Sequence, residues 1–383
     1  MKLYKFSLLM LVLGSSAFAQ TQKFTMAEAV NGLRTNLAVK NISQFSWSGD
    51  GKSYIQAVKG GYLITDLKTN KQDTLVSLTQ LNRGLTDSKF KAVPQIKFIS
   101  NSKGYFNKEG KVIWVEKSGS DWKMKSQVEI DQNASDLKVF GDNQTFAFTV
   151  KNNLFVNKNG KTIAVTNDSD ENILNGSSNV HRNEFGIDTG IFPAPNSESV
   201  AFYRMDQTMV ADYPIIDWSV TPAVNHNIKY PMAGQTSHQV TLGVFNIRTQ
   251  STTFLNIEGE KDQYLTAVTW SPDSKYIFVG VLDRGQNHMK MNQYDAVTGN
   301  LVKTLFEETS DKYVEPQHPL TFFPNSNTDF IWQSQRTGYN HLFHYNIEKG
   351  LVAQITKGDW LVTDILGFNE KKKEIYLANG WRM

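Results

Sequence analysis

A repeat of about fifty residues is the feature that most constrains the fold of this chain. Three consecutive segments have the pattern strand, polar turn, strand, and their central residues Asn246, Asp295 and Asn346 lie 49 and 51 residues apart. Residues 343–347 alternate between apolar and polar side chains, which is typical of a strand buried on one face. This period predicts an all-β protein of the β-propeller type, in which small sheets stack as blades around a channel. A β-sandwich, the alternative, explains the turns but not the period.

A second recurring unit supports the same fold. An aromatic residue followed by a tight Ser–Asp turn precedes a strand pattern at Trp47 and at Trp270, and weaker copies occupy residues 193–196 and 322–325. Asp, Asn, Pro and Gly form such turns readily. We expect the two tryptophans to pack between neighbouring blades. The high aromatic content, with 23 Phe, 14 Tyr and 8 Trp, also favours an all-β protein.

The repeat is interrupted once, between Pro195 and Pro272, where the spacing grows to 77 residues. The extra length falls in residues 207–239, which contain three prolines and little regular alternation. We expect inserted surface loops in this segment, and loops on a rigid scaffold often carry function.

The N-terminal segment has the pattern of an export signal. Two lysines precede a short apolar run, and an Ala-Phe-Ala cleavage pattern ends at Ala19, so residues 1–19 are predicted to be a signal peptide. The mature chain would then be periplasmic or secreted. Residues 20–40 are expected to form a helical lead-in, because Thr25–Glu28 fits a capping box.

Composition excludes several classes of site and partner. The chain has no cysteine, which excludes disulfides, thiolate metal sites and cysteine nucleophiles. Its net charge is only +3, with both signs interspersed, which argues against nucleic acid as a partner. No segment after the signal is apolar for long enough to span a bilayer. The seven histidines show no zinc-site spacing, and neither a metal nor another cofactor is expected.

Five motifs together resemble the N-terminal domain of the dipeptidyl peptidase IV family. They are HRNEFG at 181–186, AFYRMD at 201–206, IKYPMAG at 228–234, YVEP at 313–316 and GYNHL at 338–342. Their order and spacing suit the bacterial dipeptidyl and prolyl tripeptidyl peptidases. The resemblance implies a propeller of about eight blades that covers an α/β-hydrolase domain carrying Ser, Asp and His. It also implies that the propeller supplies acidic residues that bind the free amino terminus of a peptide substrate.

Carried over by motif, the substrate-binding role falls on Glu184, with Arg182 as a second candidate that could instead orient the loop. A carboxylate suits the substrate's ammonium group, and a fixed one also measures the distance to the scissile bond. The family's dipeptidyl members have two adjacent glutamates, whereas here Asn183 precedes a single one, so dipeptidyl and tripeptidyl release both stay open. Arg204 and Asp206, two residues apart on a predicted strand, are expected to form a structural ion pair.

The sequence contains no Gly-x-Ser-x-Gly nucleophile elbow, so no catalytic residue is assigned and this chain alone is predicted to be inactive. Residues 41–383 are interpreted as a propeller that stops before a closing blade, in a truncated product without its hydrolase domain. The favoured function is the substrate-gating propeller of a secreted serine exopeptidase, whose partners are that domain and proline-containing peptides with a free amino terminus. The alternative is a stand-alone periplasmic propeller that binds peptides or proteins as a scaffold. A homodimer is left open.

Overall fold

The computed structural model describes residues 23–35, 37–38, 45–49, 51–83, 89–142 and 144–380. The predicted signal peptide lies outside these residues, so its cleavage stays a prediction. Within them, no helix is both long enough and apolar enough to cross a membrane. The chain divides into two compact units, one comprising residues up to 106 with 113–127 and the other comprising 107–112 with 128–383.

The first unit begins with helix α1, Met26–Asn31. The Thr25 hydroxyl accepts a hydrogen bond from the Glu28 N–H at 3.2 Å, and the Glu28 carboxylate accepts one from the Thr25 N–H at 2.9 Å. These reciprocal bonds satisfy two N–H groups that a helix start leaves open, which confirms the predicted capping box. A 3₁₀ turn at Gly32–Arg34 ends the helical segment.

Two four-stranded sheets follow in the first unit, each a meander in which strands adjacent in sequence pair. The bounds are β1 Ser46–Trp47, β2 Ser53–Val58, β3 Gly61–Asp66, β4 Gln72–Ser77, helix α2 Leu78–Arg83, β5 Lys97–Ser100, β6 Lys103–Lys108, β7 Lys111–Ser118 and β8 Asp121–Glu129. Trp122 of β8 is fully buried and donates its indole N–H to the Leu75 carbonyl of β4 at 2.8 Å. This bond ties the second sheet to the first.

The second unit contains the longer series of sheets. Its strands are β9 Ser135–Val139, β10 Phe146–Val150, β11 Asn153–Lys158, β12 Lys161–Ala164, β13 Ile173–Asn175, β14 Ile191–Pro193, β15 Ser199–Asp206, β16 Asp212–Asp217, β17 Val224–Lys229, β18 Gln239–Asn246, β19 Ser251–Phe254, β20 Tyr264–Trp270, β21 Tyr276–Leu282, β22 His288–Asp295, β23 Leu301–Thr309, β24 Thr321–Phe322, β25 Asp329–Ser334, β26 His341–Asn346, β27 Gly350–Gln354, β28 Leu361–Asn369 and β29 Glu374–Gly380. The strands β9–β12, β20–β23 and β24–β27 form four-stranded antiparallel meanders. The sheet β13-β15-β18-β19 adds β14 as a further partner of β15.

The repeat seen in the sequence coincides with one structural event. Asn246, Asp295 and Asn346 each end the third strand of a sheet and accept a backbone N–H from the turn that follows, at 3.0, 2.7 and 3.2 Å. In an Asx turn of this kind, the side-chain oxygen of the strand's last residue accepts N–H groups of the turn that reverses the chain. The period is therefore the spacing from one blade-like sheet to the next, as predicted.

The two tryptophans of the second recurring unit behave differently. The Trp270 indole donates to the Phe192 carbonyl of β14 at 2.8 Å, so Trp270 packs onto the neighbouring sheet as expected. Trp47 is 56% exposed, and the expectation that it packs between sheets is wrong. Its edge-on ring contact with Phe45, at 5.3 Å between centroids, covers only part of the indole.

The segment 207–239 is more regular than its sequence indicates. It contains the antiparallel hairpin β16–β17, with Tyr213 opposite Ile228 and Ile215 opposite His226. All but the last residue of each strand are exposed. Because neither face is buried, no alternation is imposed on the sequence, and the strands were not recognised.

Candidate functional site

The predicted substrate-binding residues lie in the connection between β13 and β14. Residues 180–187, the Glu184 loop, begin with a 3₁₀ helix at Val180–Asn183, and Glu184 caps that helix in an extended conformation. Three non-glycine residues of the loop, His181, Asn183 and Phe185, have positive φ angles of 50°, 63° and 57°. Such residues are strained and persist only where the surrounding structure enforces them.

Two contacts hold the C-terminal half of the Glu184 loop. The Phe185 side chain is 4% exposed, and its ring lies 4.9 Å from that of Tyr264, the first residue of β20. Gly186 has a φ of +67°, and a Cβ added to it would stand only 2.1 Å from the Gln317 carbonyl oxygen. Glycine is required here both for the backbone angle and for this close approach.

A buried imidazole holds the N-terminal half. His181 is 2% exposed, and its Nε2 accepts the Leu265 backbone N–H of β20 at 3.1 Å. Its Nδ1 lies 2.9 Å from Nε2 of His238. Because Nε2 of His181 is already an acceptor, Nδ1 carries the proton and donates it to His238. Burial, followed by the nearby His238 and Arg284, holds the pKa of His181 well below its usual value.

The strand that receives His181 is itself fixed from the other side. The Tyr203 hydroxyl of β15 donates to the Leu265 carbonyl at 2.6 Å, and complete burial raises the pKa of that phenol. Leu265 therefore has both its N–H and its C=O bonded to buried side chains. The Glu184 loop is attached to a rigid part of the sheet and not to a mobile surface.

Glu184 is one of the exposed residues of this loop, with Asn183 and Gly186. Its backbone N–H donates to the His181 carbonyl at 3.1 Å and its carbonyl accepts the Ile187 N–H at 3.1 Å. Among the described residues, no side chain is hydrogen-bonded to or ion-paired with its carboxylate. Arg182 belongs to the 3₁₀ helix, but its side chain falls outside what the structure describes, so its substrate-binding role stays a prediction. The carboxylate of Glu184 is thus held in place by its backbone and is available to a ligand.

A cavity of about 880 Å³ begins two residues beyond Glu184. Its described lining includes Gly186 and Asp188 from the end of the loop, together with Tyr313, Glu315 and Gln335 from two later segments. Glu184 is not among the lining residues, so it stands beside this cavity. Asp188 and Glu315 give the wall a negative charge, which suits a cationic ligand group.

A smaller cavity of about 310 Å³ shares Tyr313 and Glu315 and is closed by an ion pair that the sequence did not reveal. The Arg336 guanidinium pairs with Glu308 and donates to the Tyr345 hydroxyl at 2.7 Å. Glu308 also accepts the Trp332 indole N–H at 2.8 Å. Glu308 lies on β23 and Arg336 in the turn after β25, 28 residues away, so no local motif could have connected them.

The other polar residues considered from the sequence have structural roles. The ion pair expected between Arg204 and Asp206 is wrong: Arg204 pairs with Asp168 at 2.8 Å, and Asp206 instead accepts the N–H of Thr208 at 2.9 Å in the turn after β15. Asp168 lies in a connection 36 residues away, and a partner at that distance has no sequence signature.

The structure offers no metal centre among the residues it describes. No group of three or more His, Asp or Glu side chains is arranged to hold an ion there. The buried His341 lies between the Thr356 hydroxyl at 3.1 Å and the Gly358 carbonyl at 3.0 Å, and His344 pairs with Asp329 at 2.9 Å. Both histidines therefore have structural partners in or beside the sheet β24–β27.

Comparison with known proteins agrees with this arrangement of sheets and loop. Residues 111–379 match the family described as the dipeptidyl peptidase IV (DPP IV) N-terminal region. The chain belongs to this family. A dipeptidyl peptidase 4 of Trichophyton rubrum is 24% identical over 347 residues, which cover 86% of this chain and 44% of that relative. The chain thus spans about half the length of the curated relatives it matches.

Solved structures of bacterial relatives show the same fold. A Bacteroides ovatus protein assigned as a dipeptidyl aminopeptidase IV superposes with a TM-score of 0.83 and 34% identity, covering 94% of this chain and 53% of that one. A dipeptidyl peptidase 4 of Porphyromonas gingivalis gives a TM-score of 0.73 at 20% identity, covering 92% and 52%. The expected all-β, β-propeller fold class of the family's N-terminal region is confirmed.

Proposed function

We propose that this chain is the substrate-recognising propeller of a dipeptidyl-peptidase-type serine exopeptidase, and that Glu184 binds the free amino terminus of the peptide. One observation carries the proposal: an exposed carboxylate, to which no side chain among the described residues is bonded, lies on a loop that the buried His181 and Phe185 hold in place. A carboxylate that serves the fold is bonded by neighbouring groups, as Glu308 is. Glu184 has the fixed position of a binding group without a structural use for its charge.

The neighbouring cavity supports the same function. Its volume of about 880 Å³ accommodates a short peptide, and Asp188 and Glu315 extend the negative charge beside Glu184. Family membership supplies the reaction class, since the curated relatives are dipeptidyl peptidases. Proline-containing peptides are the proposed substrates, and an α/β-hydrolase domain is the proposed catalytic partner.

The test is a comparison of two peptides that differ only in charge at the amino terminus. Ala-Pro-Ala with a free amino group and its N-acetylated form are titrated against the purified chain by saturation-transfer NMR. A charged hydrogen bond contributes about 1.5–3 kcal/mol, so the free peptide should bind roughly ten- to a hundredfold more tightly. Glu184→Gln keeps the shape of the side chain, removes its charge and should abolish that preference.

The matched control is Glu260→Gln, which removes the charge of another exposed glutamate of the same unit. It should leave both affinities unchanged. A stand-alone scaffold that reads side chains or backbone would bind the acetylated peptide equally well, and that result would favour the alternative function. Equal loss with both glutamate variants would show a general charge effect and would contradict the role of Glu184.

We also infer that the protein is exported to the periplasm or secreted, because residues 1–19 have the three regions of a signal peptide. Mass spectrometry of the protein recovered from its producing cells tests this inference. A mature N-terminus at Gln20 supports it, and retention of residues 1–19 in an intracellular protein contradicts it.

A homodimer through the hairpin β16–β17 is the proposed assembly. One face of the hairpin carries exposed apolar side chains, with Tyr213 and Ile215 opposite Ile228 and His226, and Trp218 at its tip is 79% exposed. A two-stranded hairpin is only marginally stable alone in water, and a second copy supplies the same self-complementary face. Light scattering after size exclusion should show a dimer that Trp218→Ala weakens, whereas Val297→Ala, which removes an equally exposed apolar group, should not.

A further inference from the structure

The Glu184 loop depends on a histidine pair whose two rings come from segments far apart in sequence. His181 lies in the loop and His238 directly before β18, and the two facing nitrogens are 2.9 Å apart. Two ring nitrogens at this distance share one proton, so one of them donates and the other accepts. The other nitrogen of His181 accepts the Leu265 N–H at 3.1 Å. His181 therefore fits this position only as a neutral imidazole.

We propose that His181 and His238 are positioning residues for Glu184, and that the neutral pair holds the loop in the strained conformation from which Glu184 meets the peptide amino terminus. This inference rests on the proposed function of Glu184. The carbonyl of His181 accepts the Glu184 N–H at 3.1 Å, so the imidazole anchor and the binding residue are joined through a single turn. A displaced imidazole moves the turn that carries the carboxylate.

The surroundings of His181 oppose a charged ring. The rings of Tyr264 and Tyr203 lie 5.1 and 6.3 Å from it, edge to face, and His238 lies beside it at 5.1 Å. Arg284 stands over Tyr264 at 5.2 Å and adds a positive charge nearby. No carboxylate among the described residues is hydrogen-bonded to His181. A proton added at Nε2 would face the Leu265 N–H, and that hydrogen bond would be lost.

Acidification should therefore release the loop. A histidine whose folded-state pKa is lowered binds its extra proton only when the loop opens or unfolds, so the closed loop is fully stable above the free pKa of about 6.5. Its stability falls as the pH drops below that value towards the lowered pKa of His181. Between pH 7 and pH 5, the loop should change from closed to partly open while the sheets stay folded.

Hydrogen exchange of the purified chain tests the anchor without any ligand. His181→Phe keeps an aromatic ring and removes both hydrogen bonds, and His238→Leu removes the acceptor of one of them. Corrected amide exchange in residues 180–187 should accelerate about ten- to thirtyfold in His181→Phe and less in His238→Leu. His238→Gln retains an acceptor and should exchange like the wild type. His341→Phe is the matched control, because His341 is equally buried and its two ring nitrogens bond Thr356 and Gly358.

Peptide affinity then separates the two hypotheses. His181→Phe and His238→Leu should weaken binding of free Ala-Pro-Ala by up to about tenfold, leave the acetylated peptide unaffected and have no further effect on top of Glu184→Gln, whereas His238→Gln and His341→Phe should bind like the wild type. Unchanged exchange of residues 180–187 in both His181→Phe and His238→Leu would overturn the anchor, whatever the peptide does. If a histidine variant fails to fold, the wild type alone provides the test. Corrected amide exchange in its residues 180–187 that stays the same at pH 7 and pH 5 would also overturn the anchor. If the wild-type chain binds the two peptides equally well, the proposed function of Glu184 is overturned. The exchange data test the histidine anchor separately, so this result leaves the anchor standing if the variants still accelerate exchange.

Discussion

Two glutamates of the same unit show how the fold treats a carboxylate differently in two regions. Glu308 is the penultimate residue of β23, where it accepts the Trp332 indole N–H at 2.8 Å and pairs with Arg336, which is also bonded to Tyr345. Glu184 lies on a loop, and no side chain among the described residues is bonded to its carboxylate. The carboxylate of Glu308 is only 11% exposed, whereas Glu184 is open to solvent.

The difference is between a carboxylate that is bonded within the fold and one that is proposed to bind a ligand. A buried carboxylate needs its partners, because an unpaired charge in a protein interior costs several kcal/mol. An exposed carboxylate needs none, yet the backbone of the Glu184 loop is held by the buried His181 and Phe185 and by the close approach of Gly186 to the Gln317 carbonyl. A held backbone and a carboxylate with no side-chain partner among the described residues are the two observations behind the proposed binding role of Glu184.

The largest expected effect is on stability at Glu308. Glu308→Ala removes the acidic partner of the Arg336 guanidinium, whose side chain is 28% exposed, and the acceptor of the Trp332 indole N–H, and should lower the free energy of unfolding by about 2–3 kcal/mol. Glu184→Ala removes a solvated group and should change it by less than about 0.5 kcal/mol. Urea denaturation followed by tryptophan fluorescence measures both values. Similar losses for the two variants would show that Glu184 has a structural role and would break the comparison.

The next effect concerns the backbone of the Glu184 loop. Gly186→Ala places a methyl group against the Gln317 carbonyl at a residue with φ of +67°, whereas Gly234→Ala meets open space at φ of +77°. Both variants bear the cost of a left-handed alanine, about 1 kcal/mol, so their difference isolates the clash. We expect Gly186→Ala to be less stable than Gly234→Ala by about 1–2 kcal/mol. It should also reduce the preference for a free amino terminus, and a variant with wild-type stability and preference would show that the loop adapts.

A third carboxylate lies between these extremes. Asp329 accepts hydrogen bonds from His344 at 2.9 Å and from Thr328 at 2.9 Å, with its side chain 34% exposed. Burial acts to raise its pKa, but hydrogen bonds led by that of His344 outweigh it and lower the pKa to about 2. A lowered carboxyl pKa contributes stability above about pH 4, and this contribution is lost as the pH falls towards 2.

Asp329→Asn should therefore flatten the acid side of the stability profile. Because the group is about a third exposed, we expect a change of only about 1 kcal/mol between pH 5 and pH 2.5. Unfolding free energies of the wild type and the variant at both pH values measure it. An unchanged slope in the variant would mean that other carboxylates determine the acid limb.

The sequence predicted the parts of this molecule that depend on local patterns. The Asx turns at Asn246, Asp295 and Asn346 are formed by one side chain and its own following turn, so their spacing was visible as a repeat. The capping box at Thr25–Glu28 is local in the same way. The hairpin β16–β17 was missed because its exposure on both faces leaves no alternation.

The site could be predicted only in part, for the same reason. Motif resemblance suggested Glu184, whose role stays a prediction, but nothing in the sequence connects His181 with His238, 57 residues away, or with the backbone of Leu265, 84 residues away. The incorrect pairing of Arg204 with Asp206 arose likewise, because the true partner Asp168 belongs to a distant connection. Contacts between segments that are separated by whole strands depend on how the sheets pack. They produce no regular spacing of residues in the sequence, so they could not be predicted from it.

The smallest expected effect is on the rate of peptide hydrolysis, which the purified chain should not raise above that of buffer. In the proposed function Glu184 binds an amino terminus, but acyl transfer needs a serine activated by a histidine, and the sequence contains no Gly-x-Ser-x-Gly elbow. The site's own histidine, His181, has both ring nitrogens engaged, one by Leu265 and one by His238, so it has no free nitrogen to act as a base. We expect Gly-Pro-p-nitroanilide and Ala-Ala-Pro-p-nitroanilide to be released no faster than in buffer, and a fluorophosphonate probe to label no serine, under conditions in which an active dipeptidyl peptidase does both. Labelling of a serine in the purified chain would show that binding and catalysis share these residues, and would remove the distinction between a recognising propeller and a catalytic partner.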